Sequence, residues 1–161
     1  MLLPSVQVRP SGRVPAATAR SRLLEQHRTL RAQLQTGLAL AKGALGHRGR
    51  SLPELAVLLE RTSKAFQCHL AEEEALLLPI LDDDVPVGPW RLSVLVQEHT
   101  RQRGELDALC APGHGLPVDE LIGRYADLVQ ALLADMDAEE RDLITPEVIR
   151  DDGVVIDQCS G

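Results

Sequence analysis

Between residues 55 and 77, Leu55, Leu58, Leu59, Thr62, Phe66, Leu76 and Leu77 recur at three- and four-residue spacing. That period lines one face of an α-helix and little else. His69 and Glu73, four residues apart, fall on the same face. A stripe that must point into a core therefore carries an imidazole and a carboxylate. An unpaired charge in an apolar interior costs several kcal/mol or more. A metal ion is one partner that satisfies both groups, provided that the rest of the chain brings further ligands to it.

Three more stretches read the same way. A first helix is expected from about Ala17 to Leu45, with the stripe Leu24, His27, Leu30, Leu34, Leu38, Ala41 and Leu45, ended by Gly46-His47-Arg48-Gly49-Arg50. Ser51 and Glu54 form a capping box that opens the second helix, which is expected to reach about Leu81, with Pro79 kinking or ending it. Asp82-Asp83-Asp84 reads as a solvated turn rather than a cation site. Pro89 suits the first turn of a third helix, which carries Leu92, Leu95, His99, Gln102, Leu106 and Leu109 on one side. The run Ala111 to Pro117 breaks it. A fourth helix follows, with Asp119 and Glu120 in its first turn and the stripe Leu121, Tyr125, Leu128, Val129, Leu132, Leu133, Met136, Glu140, Leu143 and Ile144. Thr145-Pro146 is expected to end it.

With one Phe, one Trp and one Tyr in 161 residues, the core must be built from Leu, Val and Ala, which favours helices over aromatic-rich strands. The expected fold is all-α, an up-down-up-down four-helix bundle. Residues 1–19 read as a flexible N-terminal arm, 20–146 as the bundle and 147–161 as a C-terminal tail. A net charge of −7 argues against nucleic acid or an anionic membrane as partner. No apolar run approaches the roughly 20 residues that span a bilayer, and the N-terminal segment lacks the apolar block of a secretory signal. Three dispersed cysteines without a CxxC pair point to a reducing cytoplasm. No Ser-His-Asp, Cys-His or phosphate-loop pattern is present, so the expectation is not an enzyme.

Three of the five histidines, His27, His69 and His99, lie on inner stripes of three different helices, and Glu73 and Glu140 add carboxylates from the second and fourth. His27 early in helix 1 and His69 late in helix 2 agree in depth if the two run antiparallel. His47 and His114 fall in loops and are expected in solvent. Imidazole with carboxylate suits iron, manganese or zinc. Cys68 faces away from His69 by about 100°, and Glu72 and Glu74 read as a solvated face.

The segments Glu25-Gln26-His27-Arg28-Thr29-Leu30, His69 and Glu73 before Pro79, Gln97-Glu98-His99, and Glu139-Glu140 before Pro146 together resemble the hemerythrin-like (HHE cation-binding) domain, over about Arg20 to Pro146. The resemblance implies a four-helix bundle with a non-haem di-iron centre that binds oxygen or senses oxygen, iron or oxidants. It implies His27 and His69 on one metal, His99 on the other, and Glu73 and Glu140 as bridges.

Two positions depart from the family's pattern. Met136 stands where a histidine is usual four residues before the helix-4 carboxylate, and Arg103 stands one turn after the helix-3 ligand. Thioether is a poor match for ferric iron. Asp135 and Asp137, each rotated by about 100° from Met136, read as unable to replace the missing group. Met136 reads as core filler, and Glu72 or solvent as what would complete a modified second position. A di-iron or single-iron protein that senses or handles metal, with O2 or another small oxidant as ligand, is the expectation, zinc and manganese being the other ions the donor set admits. The competing expectation is a bundle without cofactor that acts as a protein-interaction module.

Overall fold

The computed structural model describes residues 14–45, 52–84, 88–111 and 115–150. They form four helices and no strand: α1 Ala16–Leu45, α2 Leu52–Asp84, α3 Gly88–Cys110 and α4 Val118–Asp142. Each helix packs on the next in sequence, and α4 closes the ring against α1. His27 near the start of α1 meets His69 near the end of α2, ring centroids 4.9 Å apart, as antiparallel neighbours require. The expected up-down-up-down bundle is what forms.

Leucine periodicity sets which face turns inward. On α3 the expected residues Leu92, Leu95, His99, Gln102, Leu106 and Leu109 are all buried. On α1 the inner leucine of the second turn is Leu23 rather than Leu24, and on α2 Leu70 joins the core while Leu58 and Thr62 are only half-buried. Pro79 does not end α2, which continues to Asp84. Proline removes one backbone hydrogen bond. Leu77, Ile80 and Leu81 nevertheless bury their side chains around it, and tertiary packing of that kind is what holds most helices. At the other side of this corner α3 begins at Gly88, where any Cβ would collide with the Leu81 carbonyl. Gly37 leaves similar room on α1 for the Tyr125 hydroxyl, which bonds to Thr62 Oγ1 at 3.1 Å.

The fourth helix stops at Asp142, short of Thr145-Pro146. Residues 145–149 turn back, Ile149 N donating to the Thr145 carbonyl at 2.8 Å, and put Ile144 and Ile149 into the core. Ser51 of the capping box, the loop histidines His47 and His114, residues 1–13 of the expected arm and 151–161 of the expected tail lie outside the described residues, whereas α1 begins already at Ala16 and Ala16, Ala19 and Ile149 are buried in the core.

The core is in two parts. One apolar cluster runs from Leu30, Phe66, Leu70, Leu106 and Met136 down to Leu121 and Leu55. The other gathers Ala19, Leu23, Leu76, Leu77, Leu95, Ile144 and Ile149. Between them every helix contributes polar residues, at 26, 27 and 31, at 69, 73 and 74, at 99, 102 and 103, and at 135, 137, 139 and 140. This polar layer is the site.

Candidate metal centre

His27, Glu73 and His99 are wholly buried and His69 nearly so. Each imidazole is held by its Nδ1. His27 Nδ1 donates to Glu140 Oε1 at 3.0 Å, His69 Nδ1 to Gln26 Oε1 at 3.0 Å, and His99 Nδ1 to Glu74 Oε1 at 2.8 Å. Every acceptor comes from a different helix than its histidine, so the rings are fixed by the packing of the bundle. With the hydrogen on Nδ1, the ligating lone pair is on Nε2.

The Nε2 atoms converge on two carboxylates. His69 Nε2 lies 3.4 Å from Glu73 Oε2, His27 Nε2 lies 3.4 Å from Glu139 Oε2, and His99 Nε2 lies 3.5 and 3.8 Å from Glu73 and Glu139. One donor atom from each of His27, His69, Glu73 and Glu139 lies within 4.8 Å of all the others. Ligands on opposite sides of one first-row ion, each about 2.1 Å from it, stand about 4.2 Å apart. The set therefore fits one ion with little closing-in.

Hydrogen bonds within the chain leave several of these atoms unserved. His27 Nε2, His99 Nε2 and both oxygens of Glu73 are buried without a hydrogen-bond partner. Native interiors leave few such atoms, and a wholly buried carboxylate with neither oxygen bonded is costly. The residues fit a cation.

Electrostatics agrees with the geometry. Burial pushes the Glu139 carboxyl up to about 8. Burial also lowers the His69 imidazole to about 4, which keeps it neutral and ligating. Burial opposes charge on His99 too, yet the Glu139 and Glu73 carboxylates outweigh it and raise that group to about 10.

Outside the centre lies a second layer. Arg31 donates to Glu140 Oε1 and Asp137 Oδ1, each at 2.6 Å, and Arg103 donates to Glu74 Oε1 at 2.9 Å. Burial alone would raise Glu74 and Glu140, but Arg103 with His99, and Arg31 with His27, hold them below the usual carboxylate range. Two Arg–Glu–His chains run inward from opposite sides of the bundle.

Of the five expected ligands, His27, His69, Glu73 and His99 meet at the centre. Glu140 does not: it lies one layer out, 31% exposed between His27 Nδ1 and Arg31, and its neighbour Glu139 points in. Steps of 3.6 residues from Tyr125 reach about 132, 136 and 139.4, which favours 139 over 140. Glu74 is likewise no solvated residue but the acceptor for His99. Arg103 does not face the centre; it is spent on Glu74. Glu72 is exposed and Met136 is packed in the apolar cluster below the layer, while Cys68 faces solvent. Arg31 was missed, and Gln26 and Glu139, though within the quoted segments, were given no role. The signal for the arginines was present: an arginine follows the inner histidine by four residues on both α1 and α3.

No curated protein and no solved structure matches the chain. The family model for the hemerythrin HHE cation binding domain matches residues 18–146, the span that carries all four helices' contributions to this layer, and the chain belongs to that family.

Proposed function

We propose that this chain is a cytoplasmic, non-haem iron-binding protein that senses or buffers iron, dioxygen or a small oxidant through the metal. The observation that carries the reading is the wholly buried Glu73, both of its oxygens unpartnered, faced by the Nε2 atoms of His69 and His99. His27, His69, Glu73 and Glu139 would hold the ion. Imidazole and carboxylate together suit iron, and also manganese and zinc. A bound iron ion supplies Lewis acidity and a one-electron couple. The chain's own part is to fix the rings through Nδ1, to keep water out with an apolar cluster on either side, and to limit any further ligand to a small molecule. Among the described residues no helix is long and apolar enough to cross a membrane.

Metal analysis of protein made in iron-supplemented medium, with an optical spectrum, tests this. Stoichiometric iron with near-ultraviolet absorption, much reduced in His69→Ala, is expected. Less than about a tenth of an equivalent of any transition metal, unchanged by His69→Ala, would sink it and leave the interaction module.

A further inference from the structure

Three imidazoles face the centre, and they are not backed alike. His27 and His99 each donate through Nδ1 to a carboxylate, Glu140 and Glu74. Each of those carboxylates is clamped in turn by an arginine, Arg31 and Arg103. His69 donates instead to the amide oxygen of Gln26, which makes no other hydrogen bond among the described residues. A bond to a carboxylate is charge-assisted and roughly twice as strong as one to a neutral oxygen. It also pushes electron density onto the ring and makes Nε2 a stronger ligand. An amide does this far less. Nor is the amide needed to orient the ring. His69 packs edge-on against two other rings, His27 at 4.9 Å and Phe66 at 5.5 Å between centroids. His69 is also the one of the three imidazoles that solvent reaches, at 5% exposure against 0% for His27 and His99.

We propose that Gln26 makes His69 the weakest imidazole ligand of the centre and the one that yields first, so that the ion is held exchangeably and, as iron, is favoured in the ferrous state. The inference rests on the metal-binding reading above. Ferric iron gains more from an electron-rich imidazole than ferrous iron does, so an amide in place of a carboxylate behind one ring raises the reduction potential. An ion that is sensed or buffered must be able to leave. The imidazole that lets go most easily is the one at the solvent edge of the layer.

Gln26→Glu in full-length protein, stripped with chelator and reloaded with Zn2+ or Fe2+ at pH 8, tests this. The variant should bind Zn2+ about tenfold more tightly in competition with a chromophoric chelator, release it more slowly, and show a lower Fe3+/Fe2+ potential. Glu140→Gln makes the opposite exchange behind His27. It should weaken Zn2+ and raise the potential, and it decides the matter if circular dichroism shows the first variant to be poorly folded. Gln26→Ala should stay within a few-fold of the wild type. Affinity and potential unmoved by both exchanges would overturn the inference and leave the metal centre standing. So would a Gln26→Ala loss as large as that of His69→Ala, which would mean that the amide is needed to place the ring. A wild type that binds no ion would bring down the metal-binding reading, and this inference with it.

Discussion

An imidazole whose Nδ1 hydrogen is held by a clamped carboxylate is a better ligand than a free one, because its tautomer is set and its ring cannot turn. Glu140 does this for His27 while Arg31 pins Glu140 from outside. Glu140→Ala should leave the helix content intact and weaken the first equivalent of metal about 10- to 100-fold, as read by competition with a chromophoric chelator. Glu74→Ala should spare that first equivalent to within a few-fold, since the ring it releases is His99. Equal losses in the two variants would argue for general loosening instead of ring-by-ring control. Much of this scale was legible beforehand. Histidines on leucine stripes can be read from periodicity alone, and so His27, His69, His99 and Glu73 were. Adjacent glutamates cannot be separated that way. Glu73-Glu74 and Glu139-Glu140 each divide into one inner and one outer residue, and which is which depends on helix phase accumulated over several turns.

At the scale of the elements, helix number, order and most of the inward faces followed from the 3.6-residue period, and what escaped were the C-terminal ends of α2 and α4. Ends depend on packing that local chemistry does not encode. Pro79 signals a stop, yet α2 runs on for another turn because Leu77 and Leu81 are fully buried against the rest of the second apolar cluster. Leu77→Ala should therefore cost about 2–5 kcal/mol in denaturant unfolding, through the cavity and through fraying of α2 beyond the proline. Val96→Ala, on an α3 side chain that is 41% exposed, should stay within about 0.5 kcal/mol. If the two cost the same, the end of α2 is not held by its burial. Gly88→Ala tests the same corner from α3, and the collision with the Leu81 carbonyl should lower the melting temperature where an alanine elsewhere in a helix would raise it.

The molecule as a whole is a bundle with its core cut in two by a charged layer, which is a poor arrangement for stability without an ion and a good one for coupling stability to binding. The coupling should be visible in pH dependence. In the metal-free fold His99 titrates near 10 and Glu139 near 8, both above the ordinary values of 6.5 and 4.5. Stability from His99 is fully present below pH 6.5 and fades as pH rises towards 10. Stability from a protonated Glu139 is likewise lost as pH rises towards 8. His69, lowered to about 4, works in the opposite sense, its contribution fading only as pH falls from 6.5 towards 4. Between pH 6.5 and 8 these two groups, which face each other, titrate as one coupled pair and His69 is silent, so the folded state holds more protons than the unfolded chain. Metal-free protein should lose about 1–3 kcal/mol across that window, seen as a falling melting temperature. With iron or zinc in excess the trend should weaken or reverse. The ion must displace the proton on Glu139, so its affinity, and with it the stabilisation of the folded state, rises with pH. A melting temperature that climbs from pH 6.5 to 8 in the stripped protein would mean that His99 and Glu139 do not titrate above their ordinary values in the fold, and the electrostatic support for a cation in this layer would fall away.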